Sequence, residues 1–143
     1  MSTNDSGVLP LPQWFKDEMA AQEAAEKHAY WLECFERRVG RMWPRDVGAD
    51  FDERYEEKLE MIRKRDDAPE GIIDVANQVK KIADDETLPD CIRSRALAAI
   101  DYLVNGLGAI PDCIPGGFED DMFILTHTLE TLSEWIPSWR KER

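Results

Sequence analysis

Residues 100–132 read IDYLVNGLGAIPDCIPGGFEDDMFILTHTLETL, and the fold turns on how this stretch is read. Two apolar runs flank a connection rich in glycine and proline. Pro111 and Pro115 have no backbone N–H and fix φ, so no regular helix runs through them. Gly106, Gly108, Gly116 and Gly117 permit positive φ or close approach of the backbone. Asp112, Glu119, Asp120 and Asp121 place four acids within ten positions, and no Lys or Arg lies between Ala96 and Trp139. The stretch predicts two helices joined by an acidic connection. It names no reaction.

The helices it predicts are a fourth, opened by Thr87-Leu88-Pro89-Asp90, and a fifth, beginning near Phe118. On the fourth, Ile92, Ala96, Ala99, Ile100 and Leu103 share a buried side, with Leu97 and Val104 beside them. Asn105-Gly106 suits a C-cap, because both residue types tolerate the left-handed conformation. On the fifth, Met122, Leu125, Leu129, Leu132 and Ile136 form the apolar stripe, widened by Ile124, Thr128 and Trp135, and Pro137 is expected to close it.

Upstream, residues 1–10 are small and polar and read as a flexible tail. A long helix is expected from about Gln13 to Met42, with Trp43-Pro44 as its stop. Trp14, Ala21, Ala24, Ala25, His28, Trp31, Leu32, Phe35, Val39 and Met42 fall on one side. At 1.5 Å per residue it would run about 40 Å, so it either breaks near its Ala-rich centre or projects from the body. Asp50 suits the N-cap of a second helix carrying Phe51, Tyr55, Leu59 and Ile62. Arg63-Lys64-Arg65 reads as the solvated end of that helix. Pro69 is expected to start a third, with Ile72, Val75, Ala76, Val79, Ile82 and Ala83 on one face. With no alternating strand and no internal repeat, the chain reads as all-α: one domain of about five helices over residues 11–143.

Composition narrows the function. At 143 residues the chain is long enough for one hydrophobic core. Its net charge of −12 opposes phosphate-backbone binding and anionic membrane surfaces, and favours solubility or a basic protein partner. Cys34, Cys91 and Cys113 are odd in number, widely spaced and free of any CxxC, so buried free thiols in a reducing compartment are expected. The N-terminal residues have neither a basic nor an apolar signal region, and no apolar run nears the roughly 20 residues of a membrane span. A soluble, cytoplasmic protein is expected. Neither a phosphate-binding loop nor a recognisable nucleophile motif is present.

Residues 79–136 resemble the YkvA-type family, a bacterial domain of unknown function. The resemblance is carried by Tyr102-Leu103, Ile110-Pro111-Asp112, Ile114-Pro115 and Gly117-Phe118-Glu119-Asp120-Asp121, with Asp85-Glu86-Thr87-Leu88-Pro89 standing at the family's polar turn. It implies a C-terminal helical hairpin and a bacterial source, and brings no reaction with it. Two departures stand out. Gly106-Leu107-Gly108 replaces the family's Pro-x-Asp, removing one acid, and the link from Pro115 to Gly117 is one residue short. Residues 11–78 lie outside the resemblance.

Two candidate sites emerge. Asp112, Glu119, Asp120 and Asp121 could cap and complement the positive end of the fifth helix, share a proton, or hold a divalent cation through oxygen. Helical spacing puts Asp121 at the edge of the apolar stripe and Asp120 about 100° further round, toward solvent. His127 falls on that outward face and reads as a surface histidine. Trp14, His28, Trp31 and Phe35 form the second candidate, a face that is either core or partner-binding. The leading expectation is a non-catalytic acidic protein acting through protein–protein interaction or self-association, without a cofactor. The alternatives are a metal-binding protein or metal-dependent hydrolase using the acidic loop, and an acidic inhibitor or immunity-type protein that neutralises a basic partner.

Overall fold

The computed structural model describes residues 10–105 and 116–142. Five helices make up the described chain: α1 (Gln13–Val39), α2 (Phe51–Arg63), α3 (Ile72–Asp84), α4 (Asp90–Asn105) and α5 (Glu119–Lys141), with a short 3₁₀ turn at Pro44–Asp46. No strand occurs among the described residues, so the protein is all-α.

Helix α4 is the axis of the fold. Its apolar residues occupy nearly its whole circumference, and Ser94, Ala98 and Tyr102 are buried along with the expected face. A helix apolar all round must be enclosed. Accordingly α1, α2, α3 and α5 all pack on α4, and α5 also packs on α1 and α3. Ala96, Ala98 and Ala99, all fully buried, let the neighbouring helices approach closely.

The remaining helices contribute one stripe each. Phe51, Tyr55, Leu59 and Ile62 of α2 are buried as their spacing predicts. Asp50 precedes α2 but caps nothing with its side chain, which pairs instead with Arg54 at 3.3 Å. Helix α3 starts at Ile72, three residues later than expected. Gly71 just before it has φ of 83°, a conformation that ends any helical run begun at Pro69. Lys80 is buried between α2 and α3, reached by Asp52 at 2.7 Å and Asp84 at 2.6 Å. Burial opposes its charge, but these two carboxylates outweigh that and hold the ammonium above its ordinary pKa. The Tyr55 hydroxyl donates to Asn77 Oδ1 at 2.7 Å, and burial pushes its pKa up.

Both long helices end differently from expectation. Helix α1 stops at Val39, short of Met42, and the buried Ser94 hydroxyl lies within hydrogen-bonding distance of the Val39 and Met42 carbonyls. With its single hydrogen the hydroxyl donates to one of these carbonyls at a time, at the point where the helix end leaves carbonyls open. Helix α5 does not close at Pro137 but continues to Lys141. Pro137 removes one bond, to the Ser133 carbonyl, on a side of the helix that is open to solvent. Beyond it Trp139 packs against the core and holds the last turn in register.

Candidate functional site

Helix α1 is continuous, and its two halves have different surroundings. Phe35 is 0% exposed and Trp31 5%, both members of the core and not of an open face. Arg95 of α4 lies between the rings of Phe35 and Trp135, at 5.2 and 5.3 Å, while pairing with Glu36 at 2.7 Å. Arg38 pairs with Asp101 at 3.2 Å and lies over the Tyr102 ring. From residue 10 to residue 27, by contrast, every residue is exposed. Leu11, Trp14, Phe15 and Met19 are large apolar side chains on this projecting half; Trp14 is 63% exposed and meets the edge of Phe15 at 5.7 Å. Of the two arrangements the sequence allowed, projection is the one adopted.

Where α1 meets α5, aromatic rings stack. His28 lies on Phe123 at 4.2 Å with an interplanar angle of 14°, and Trp31 meets the same ring at 5.7 Å and 60°. His127 lies nearly parallel to the Phe123 ring at 6.1 Å, half-buried rather than on the surface. A shallow groove of about 400 Å³ opens here, lined by Ala24, Lys27, His28 and Trp31 of α1 and by Met122 and Phe123 of α5, among others. Phe123 lies beside the expected stripe and escaped the sequence reading. Its partner His28 is 95 positions away, beyond any local pattern.

The acids at the start of α5 are arranged differently from their helical spacing alone. Glu119 is exposed, but Asp120 is 0% and Asp121 1% exposed. The expected solvent-facing position of Asp120 is therefore corrected. Because α5 is flanked by α1, α3 and α4, an arc of 100° does not carry a side chain out to water. Asp120 Oδ2 accepts a hydrogen bond from the Tyr102 hydroxyl at 2.7 Å. Among the described residues no three His, Cys, Asp or Glu side chains are grouped to hold a metal ion. Asp112 and Cys113 lie outside the described residues, as do Gly106-Leu107-Gly108 and residues 1–9 of the tail. Cys34 is half-buried and Cys91 exposed, so the described thiols are free but not fully buried.

A clamp the sequence reading missed sits beside these acids. Arg65 grips Asp67 through Nε and Nη2, both at 2.8 Å, and Asp67 accepts the Gly116 N–H at 3.3 Å. The Arg65 guanidinium also covers the buried Phe118 ring at 4.9 Å. Arg65 is thus a fixed link from the end of α2 to the start of α5, not only a solvated helix end. Its hydrogen bonds hold the Asp67 carboxyl below the usual carboxylate range. A depressed folded-state pKa contributes stability above the unfolded value of about 3.9, lost as pH falls through the folded value. Asp67→Asn is expected to melt below the wild type at neutral pH and to converge with it on acidification. Thermal melts from neutral to strongly acidic pH would check this, and a constant gap between the two would reject it.

A polar groove of about 730 Å³ lies between α2 and α3 and includes Asp52, Tyr55, Asn77, Lys80 and Asp84. Its side chains are those of the Lys80 and Tyr55 interactions that tie the two helices together.

No family model matches the chain, and no curated protein or solved structure shows significant similarity to it. These comparisons neither support nor oppose the YkvA-like resemblance of residues 79–136.

Proposed function

We propose that this is a non-catalytic interaction protein that recognises another protein chain through the projecting half of α1. One observation carries the reading. Eighteen consecutive residues, 10 to 27, leave the body exposed, and they present Leu11, Trp14, Phe15 and Met19 to solvent. Helical recognition segments present anchors at about this spacing, and Trp and Tyr dominate the energetics of many interfaces. The five-helix body, with the YkvA-like hairpin at its C-terminal end, serves as a rigid mount. The negative charge keeps the protein soluble and repels acidic competitors.

The test is a photoactivatable side chain at Phe15 or Met19, irradiated in extract of the native cells. An adduct at these positions, absent when the probe stands at Glu142, is the expected result. No adduct at either position would overturn the reading.

A further inference from the structure

The basic residues of this acidic protein are not spread evenly. Residues 37–45 hold four arginines and no Asp or Glu, although the whole chain carries a net charge of −12. Three of the four, Arg37, Arg38 and Arg41, line a groove of about 530 Å³ between the C-terminal ends of α1 and α4. That volume falls among small-molecule sites, which span roughly 300–1,000 Å³. At 100° per residue Tyr30, Cys34, Arg37 and Arg38 share one side of α1, and Arg41 follows in the turn after Gly40.

The three guanidiniums are engaged to different degrees. Arg38 is fixed: its side chain is 20% exposed, pairs with Asp101 at 3.2 Å and lies over the Tyr102 ring at 5.1 Å. Arg37 pairs with Glu33 at 2.7 Å, but both side chains lie largely in solvent, so a ligand displaces this pair easily. Arg41 is exposed and has no ion pair among the described residues. The negative end of a helix attracts basic side chains, which accounts for Arg37 and Arg38 in the last turn of α1. Arg41 lies past that turn. Two like charges four positions apart repel, and an anion between them relieves the repulsion. Acids elsewhere on the chain oppose this weakly, because charges beyond about 8 Å are screened at physiological ionic strength.

We propose that this groove binds a small organic phosphate, its charged group held between Arg37 and Arg41. The inference goes beyond the interaction reading and does not depend on it. A phosphomonoester carries about −1.5 to −2 charges at neutral pH, whereas a carboxylate carries one. Two guanidinium forks match that charge, and their planar N–H pairs match phosphate oxygens. Asp101 does not repel the ligand, since Arg38 already neutralises it. The exposed Tyr30 ring and Met42 offer apolar cover for the organic part, and the Asn105 amide offers hydrogen bonds to its hydroxyls.

Phenyl phosphate is the probe, titrated calorimetrically into the full chain at physiological salt and neutral pH, to about 10 mM. One saturable site is expected, with Kd near or below about 1 mM, and benzoate is expected to bind at least about tenfold more weakly. Arg37→Gln and Arg41→Gln should each raise Kd at least about tenfold, as for loss of one charged hydrogen bond. Both residues are exposed, so both variants keep the wild-type melting temperature. Arg63→Gln, on an exposed arginine outside the groove, should leave Kd unchanged.

Heats that do not saturate, a Kd raised equally by Arg63→Gln, or a Kd unmoved by both groove variants would each overturn the site. Benzoate binding as tightly as phenyl phosphate would overturn the choice of a phosphate. None of these substitutions touches residues 10–27, so the photo-adduct expected there stands or falls separately.

Discussion

Tyr102→Phe is expected to lower the stability of the protein by about 1.5–3 kcal/mol, although it removes a single oxygen atom. The Tyr102 hydroxyl donates to Asp120 at 2.7 Å, and both residues are 0% exposed. Water cannot reach the Asp120 carboxyl to replace the lost donor, so the variant leaves a buried acceptor with one hydrogen bond fewer. For a domain of this length the melting temperature should fall by roughly 5–10 °C. Asp120→Ala, which deletes the acceptor, is expected to cost at least as much. The double variant should cost less than the sum of the two, because each single change removes the same bond. Additive losses in that cycle would show that the two groups act independently and that the bond contributes little.

The second large effect divides one helix into two regimes. Phe35→Ala should cost about 3–5 kcal/mol, the range for emptying an aromatic site in a closed core. The loss also strips one of the two rings from the Arg95 guanidinium. Trp14→Ala removes a still larger side chain from the same helix. At low micromolar protein it should change stability by no more than about 0.5 kcal/mol, as for a surface position. Denaturant melts of the two variants side by side decide the matter. A loss of several kcal/mol at Trp14 would mean that the outer half of α1 packs on the body in solution.

The contrast between Phe35 and Trp14 also shows where the sequence was informative. Helical periodicity located all five helices; it identified the buried stripe of α2 residue by residue, and on α3 it found Ile72, Ala76, Val79 and Ala83 but not the buried Lys80, while Val75 and Ile82 are only half-buried. It assigned Trp14 and Phe35 to one face correctly, but a face does not state how far along the helix its cover extends. That depends on where α4 and α5 lie, which is a tertiary property. The same gap explains Asp120. A 100° turn from the stripe reaches solvent on a helix covered on one side, and α5 is covered on several. The Arg65–Asp67 clamp and the stacking of His28 on Phe123 join segments roughly 50 and 95 positions apart. Neither leaves a local trace. Pro137 misled in a simpler way, since a proline near a helix end removes one bond and Trp139 anchors the turn that follows it.

The unequal halves of α1 also set how the helix melts. An isolated helix of 12–15 residues is marginal in water, because its first turn must be fixed before any bond rewards it. The outer half of α1 does not face that nucleation step, since Trp31 and Phe35 keep the turns below it formed. It extends a helix that already exists, one residue at a time. The outer amides can therefore open and close without disturbing the core, while those near Phe35 exchange only when the domain unfolds as a whole. Any chain that pairs with the outer half would damp this fraying, so residues 13–27 would gain hydrogen-exchange protection on binding with no change in the body of the protein.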